Sequence, residues 1–227
     1  MRAWLTDQYR MHPQIMDAIN QFYSHKLVCK IPDPDRARAH GLAPLFPPDR
    51  HIAWVSVPQI TSYHEERIGT SYWNRTEADI IEEVLQRIDR SWQPTQAGQR
   101  KEVGVITFYA AQLRELARRL KKRPPDQDFK QLNIRLGTVD RFQGMERPIV
   151  IVSLVRNNAH GDVGFAKEPE RVNVAFSRAQ ELLIIVGSRE LFCEQAKNTN
   201  AARIYKNVAD VVRQSGGFID VSTFQSH

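Results

Sequence analysis

The chain has 227 residues, with 32 Lys and Arg against 26 Asp and Glu, a formal charge of +6 and 41% apolar side chains. That is enough for one α/β domain with a sizeable core and a small appendage, of globular composition and weakly inclined toward a polyanionic partner. No apolar run approaches the ~20 residues of a membrane span. The first residues lack a signal peptide's apolar core. Two distant cysteines, Cys29 and Cys193, argue against a structural zinc cluster and for a reducing compartment.

Leu5 to Tyr9 reads as a short strand with almost no lead-in. Pro13 suits the first turn of a helix, and Met16, Ile19, Phe22 and Tyr23 then recur at helical spacing. Residues 29–50 hold five prolines (Pro32, Pro34, Pro44, Pro47 and Pro48) and predict an irregular insertion. Ile52 to Val57 predicts a strand. Asn74-Arg-Thr-Glu77 has capping-box spacing, with Asn in place of Ser or Thr. It opens a helix through Ile88 on which Ile80, Ile81, Val84, Leu85 and Ile88 follow the 3.6-residue period.

Val103 to Phe108 reads as a buried strand. Ala110 to Lys122 reads as a helix with Leu113, Leu116, Ala117 and Leu120 inward, stopped by Pro124-Pro125. Ile134 to Val139, Ile149 to Val155 and Leu182 to Val186 predict three more strands. The last two lack polar alternation, as in central strands covered on both faces. Glu168 to Gln180 and Ala202 to Gln214 read as helices. Strands alternating with helices imply a layered α/β domain with a mostly parallel sheet.

Several residues carry chemistry in this frame, each beside a plainer alternative. Gly144 in Gln143-Gly-Met-Glu146 allows positive φ or a close ligand, and Glu146 could accept from a sugar hydroxyl. A turn glycine after a strand needs no ligand, although ligands of open α/β sheets gather at the strands' C-terminal ends. Arg178 and Arg171, two turns apart on the expected helix, are either surface salt-bridge residues or phosphate ligands, and Asn173 could orient either. Tyr9 and Arg10 either end a strand or meet a base and a phosphate. His12 reads as structural. Thr107 and Thr138 either cap strands or offer hydroxyls to a nucleic-acid phosphate. The run Arg114, Arg118, Arg119, Lys121, Lys122 and Arg123 is either a solvated helix face or a phosphate contact. No Gly is followed by Lys, so a Gly-Lys-Ser/Thr phosphate loop is missing, and no strand ends in Asp-Glu. A complete nucleotide site is therefore not expected from this chain alone.

Taken in order, five segments resemble motifs of the second RecA-like domain of a superfamily 1B helicase of the nonsense-decay type. They are Gln8-Tyr-Arg-Met-His-Pro13, the Asn-Arg-Thr-Glu-Ala ending of Gly69–Ala78, Val103–Gln112, Thr138–Glu146 and Arg171–Ala179. The resemblance spans Leu5 to Gly187. It implies a three-layer RecA-like fold and roles by position. Arg10 and Arg178 would contact the γ-phosphate, Arg178 as an arginine finger across an interdomain cleft. Tyr9 would stack near the adenine, Gly144 and Glu146 would line the nucleotide, and Thr107, Thr138 and Asn157 would face the single strand. ATP and Mg2+ are the implied cofactors, with the Mg2+ ligands coming from an N-terminal RecA-like domain of the same parent chain. Single-stranded DNA or RNA is the implied partner, with no membrane, in the cytoplasm or a eukaryotic nucleus. Two departures stand out: Phe108 replaces a family Pro, and Ser177 and Gln180 replace the Thr and second Arg of Thr-Arg-Ala-Arg. The expected organisation is a motor domain over 1–190, inserted at 29–50, with a C-terminal helix and tail over 191–227 packed on it. The rival reading is a noncatalytic RecA-like module that binds nucleic acid or protein.

Overall fold

A computed structural model describes residues 6–23, 27–94, 96–122 and 128–224. Leu5, Arg123, Pro124-Pro125 and the side chain of Tyr23 lie outside the described residues. The opening strand is short: β1 (Asp7–Gln8) pairs in parallel with β2 (Val28–Cys29). Between them runs α1 (Pro13–Tyr23), and a four-residue helix, α2 (Pro34–Ala37), lies in the insertion. After β3 (Ile52–Ser56) comes a hairpin of β4 (Glu66–Ile68) and β5 (Ser71–Trp73), then α3 (Arg75–Ser91). The chain continues through β6 (Lys101–Thr107), α4 (Ala110–Lys121), β7 (Leu132–Thr138), β8 (Arg147–Ser153), α5 (Pro169–Phe176), β9 (Ala179–Gly187), α6 (Thr199–Gln214) and β10 (Phe218–Asp220).

Six strands form one sheet in the order β10-β3-β9-β8-β6-β7, and every neighbouring pair is parallel. The apolar runs of β8 and β9 are buried on both faces. One face packs on α1, α5 and α6, and the other on α3 and α4. β7, at an edge, alternates exposed Asn133 and Arg135 with partly covered Ile134 and Leu136, which blunts the edge with polar side chains. The other edge strand, β10, is three residues long and brings the chain after α6 into the sheet.

Two expectations need correction. The helix expected over Glu168–Gln180 ends at Phe176, and its last backbone bond runs from Ser177 N to Asn173 O at 2.9 Å. Ala179 and Gln180 belong to β9, where Ala179 faces Arg147 of β8. Ladder pairing overrides the helical propensity of this stretch, and Arg178 falls in the turn between helix and strand. The capping box is half built. Asn74 accepts from Glu77 N at 3.0 Å, but Asn74 N donates to Gln112 Oε1 at 2.8 Å rather than to Glu77. The Glu77 carboxylate turns inward instead, accepting from Ser153 Oγ at 2.6 Å and Val155 N at 2.9 Å.

Candidate functional site

The functional candidates separate onto opposite edges of the sheet. β8 has seven residues, so at ~3.3 Å each the edges stand roughly 20 Å apart. Gly144 and Glu146 lie before β8, and Arg178 before β9. The cluster therefore forms at the strands' N-terminal ends, not the C-terminal ends expected for it. The connection from β7 to β8 is short, a 3-10 turn at Val139–Phe142 followed by Gln143–Glu146, and it carries the chain from one edge to the other.

At the N-terminal edge Arg10 Nε lies 2.5 Å from Glu146 Oε1, and Gln180 Nε2 donates to Glu146 Oε2 at 2.9 Å. Gln180, where the resemblance implies a second arginine, thus holds Glu146 from the other side. Tyr9 is 65% exposed beside this pair. Gly144 has φ of +81°, a conformation that L side chains rarely adopt, and no heavy atom would meet a Cβ there. Arg178 is partly buried. Its Nε donates to Val174 O at 3.0 Å, its Nη2 to Ser177 Oγ at 2.9 Å and its Nη1 to Met145 O at 3.4 Å. Val174 O is one of the last carbonyls of α5, so Arg178 also serves that helix's negative end.

Backbone bonds tie the cluster together: Arg147 N donates to Arg178 O and His12 N to Gln180 O, both at 2.9 Å. Gln8 fixes the turn before them. Its Oε1 accepts from the N–H groups of Arg10 and Met11, and its Nε2 donates to Met11 O, all at 2.9 Å. This turns Tyr9 and Arg10 outward while Gln8 is buried. The insertion contributes as well. Arg38 Nε donates to Arg10 O at 2.7 Å and its Nη2 to Tyr9 O at 2.9 Å. Nothing in the proline-rich pattern of residues 29–50 signals that task.

His12 has a partner that sequence reasoning missed: its Nε2 lies 2.9 Å from Asp35 Oδ1. Its Nδ1 accepts from Gln14 N at 3.2 Å, so His12 caps α1. The His12 ring stacks on His51 with centroids 3.4 Å apart, and His40 meets His51 edge-on at 5.4 Å. Burial holds all three below the usual histidine range, His40 at about 4. His12, Asp35 and His51 bring ligand atoms within 4.8 Å of one another. A cation there would require the His12 Nδ1 that now caps the helix to carry a proton, so the cluster reads as structural.

The C-terminal edge brings Thr107 and Thr138 side by side as register partners of β6 and β7. Thr107 is fully buried, and its hydroxyl accepts from Tyr109 N at 3.4 Å, the strand-capping alternative. Thr138 is half-buried. Asn157 is fully buried and does not face outward. Its amide donates to Pro58 O at 2.9 Å and Tyr63 O at 3.2 Å, and its backbone N donates to Glu65 Oε2 at 2.6 Å. The loop that follows β8 has Val155 as its second residue, at φ +71°, a left-handed conformation for a β-branched residue. Glu77 accepts its N–H, and Asn74 Nδ2 donates to its carbonyl at 3.2 Å. Burial pushes the Glu77 carboxyl up to about 8, against the two hydrogen bonds it accepts.

Of the five described cations in the basic run, two are paired: Arg118 with Glu115, and Arg119 with Glu115, Asp79 and Glu82. That favours the solvated helix face. Arg171 is separated from Arg178 by the end of α5. It pairs with Asp140 at 2.9 Å, two residues beyond Thr138, on the opposite edge from the Arg10 cluster.

A family model described as an AAA domain matches residues 1–190. The Regulator of nonsense transcripts 1 homolog of Drosophila melanogaster is 33% identical over 88% of the chain and 16% of its own length. The ATP-dependent helicase upf1 of Schizosaccharomyces pombe is 29% identical over 85% of the chain and 20% of its own length. DNA polymerase alpha-associated DNA helicase A of Saccharomyces cerevisiae is 30% identical over 84% of the chain and 28% of its own length. The chain thus spans well under a third of these curated relatives. With its all-parallel, three-layer sheet and its motifs in helicase order, the chain belongs to the AAA domain family, as the C-terminal RecA-like domain of a superfamily 1 helicase.

Proposed function

We propose that this domain is the second half of an ATP-driven motor that moves on single-stranded DNA or RNA, with the nucleotide held at the N-terminal edge and the strand at the C-terminal edge. The observation that carries the reading is the convergence of Arg10, Glu146, Gln180 and Arg178, from three separate segments, beside an exposed Tyr9. Two guanidinium groups and an open aromatic ring suit an anionic purine nucleotide. Glu146 is already engaged by Arg10 and Gln180, so this cluster does not offer the free acidic pair that Mg2+ takes. When bound, Mg2+ neutralises charge on the β- and γ-phosphates, and its ligands are assigned to the N-terminal RecA-like domain. In this reading Arg10 leaves Glu146 for the γ-phosphate, which frees a carboxylate for the ribose. Arg178 supplies charge to the transferring phosphoryl group. Thr138 meets the strand's backbone, while Thr107 and Asn157 shape the loops around it.

The isolated chain should have negligible ATPase, with or without single strands, because it carries no Gly-Lys phosphate loop and no strand-end acidic pair. Phosphate release is the assay. Turnover that scales with the chain and survives Arg178→Ala would overturn the two-half reading and leave a self-sufficient enzyme.

A further inference from the structure

Among the described residues, Tyr9 and Phe165 are the exposed large aromatic side chains, whereas Phe46, Phe142, Phe176 and Phe192 are all 0% exposed. Phe165, at the C-terminal edge, is 45% exposed. It is nevertheless braced. The Tyr109 ring lies 5.2 Å away, tilted by 37°, and Phe165 N donates to Tyr109 Oη at 3.2 Å. Arg171 Cζ stands 5.0 Å from the Phe165 ring centroid. The preceding Gly164 has φ of +56°, and a Cβ there would drive into the Tyr109 hydroxyl. The backbone is thus built to set this ring against Tyr109 and still leave it open to solvent.

The ring's neighbours locate it. Tyr109 bonds back to Thr107, and Arg171 pairs with Asp140, two residues beyond Thr138. Phe165 therefore stands next to the strand ends assigned to the single strand. An exposed ring with a cation on it, beside a backbone-binding edge, is the arrangement on which bases stack without sequence preference. We propose that Phe165, braced by Tyr109 and Arg171, is a stacking platform for one nucleobase of the bound strand. This rests on the single-strand reading of the C-terminal edge and adds to it a contact with the base rather than the phosphate.

The test is fluorescence-anisotropy titration of the 227-residue chain at low salt, using single-stranded DNA and RNA oligomers and abasic strands of the same length. The wild type should bind base-bearing strands more tightly than abasic ones. Phe165→Ala should weaken binding of base-bearing strands roughly 5- to 100-fold and leave abasic binding unchanged. Phe165→Trp should retain binding, and Phe165→Leu, which keeps apolar bulk without a π-face, should behave as Phe165→Ala does. Full affinity in Phe165→Ala or Phe165→Leu, or equal loss on both kinds of strand, would overturn the platform while leaving the single-strand reading intact. Absence of any binding by the wild type would overturn that reading and the platform with it.

Discussion

Arg38 shows how one residue in an unpatterned insertion can hold the candidate pair Tyr9 and Arg10. Its guanidinium bridges the carbonyls of Tyr9 and Arg10, so it orients both side chains without being assigned any contact with the nucleotide. Hydrogen bonds from charged groups contribute about 1.5–3 kcal/mol when buried and less at a half-buried position such as this. Arg38→Ala should therefore raise the KM for ATP of the two-domain helicase roughly three- to tenfold, with a smaller change in kcat. Arg38→Lys should not restore it, because an ammonium lacks the planar fork that spans two carbonyls. Steady-state kinetics decide the matter, and an unchanged KM in Arg38→Ala would make the contact incidental. The two threonines at the other edge should separate in the same way. Half-buried Thr138 loses one neutral hydrogen bond on Thr138→Val, worth about 0.5–1.5 kcal/mol, so single-strand affinity should fall roughly two- to tenfold across sequences alike. Thr107→Val, at a fully buried hydroxyl, should change stability rather than affinity. Anisotropy and thermal melts distinguish the two, and an affinity loss confined to Thr107→Val would reverse the assignment.

Among the elements, α3 holds the loop after β8 from behind. Asn74 and Glu77, at its N-terminus, grip both backbone groups of Val155 and keep it left-handed. A carboxyl whose folded pKa is raised to about 8 keeps a proton that the unfolded chain gives up near the ordinary value of ~4.3. Its contribution to stability is full below that range and is lost as pH rises toward 8. Glu77→Gln removes the titration and keeps an acceptor, so the Tm of the variant relative to wild type should climb between pH 5 and 8 and then level off. A difference that stays flat with pH would mean that the carboxyl is already ionised in the fold. The helix itself was legible in the sequence, because apolar side chains at 3.6-residue spacing and an Asn cap are local signals. The inward turn of Glu77 was not, since it depends on Ser153 from β8 and Val155 from the loop after it. The end of α5 was misread for the same reason. Nothing local marks Phe176 as the last helical residue, and the pairing of Ala179 with Arg147 decides it.

At the scale of the whole molecule, the five motifs were readable in order, but not the edge of the sheet on which each would fall. That depends on crossovers, and the short path from Thr138 to Glu146 moves the chain from the C-terminal to the N-terminal edge of the sheet. The three clustered histidines give the fold a pH limit. Each is held neutral by burial, with its pKa lowered from the ordinary 6.5, His40 to about 4. The unfolded chain takes up these protons first, so stability is kept above pH ~6.5 and lost as pH falls toward 4. Thermal melts should show Tm falling over that window by several degrees, about 2–4 °C for each kcal/mol in a domain of this size. His40→Gln should flatten part of the slope, and a slope unchanged in that variant would place the proton uptake elsewhere.

In the proposed motor, Arg178 acts on the phosphoryl group rather than only closing the end of α5. The decisive measurement is ATP turnover and nucleotide Kd for Arg178→Ala in the helicase that carries both RecA-like domains, below its melting temperature. A finger acts on charge that develops in the transition state and contributes on the order of 10³–10⁵ in rate. A fall in kcat of that order with a nearly unchanged Kd is the predicted result. A kcat close to that of the parent, with only a modest loss of Tm from the missing cap of α5, would contradict it.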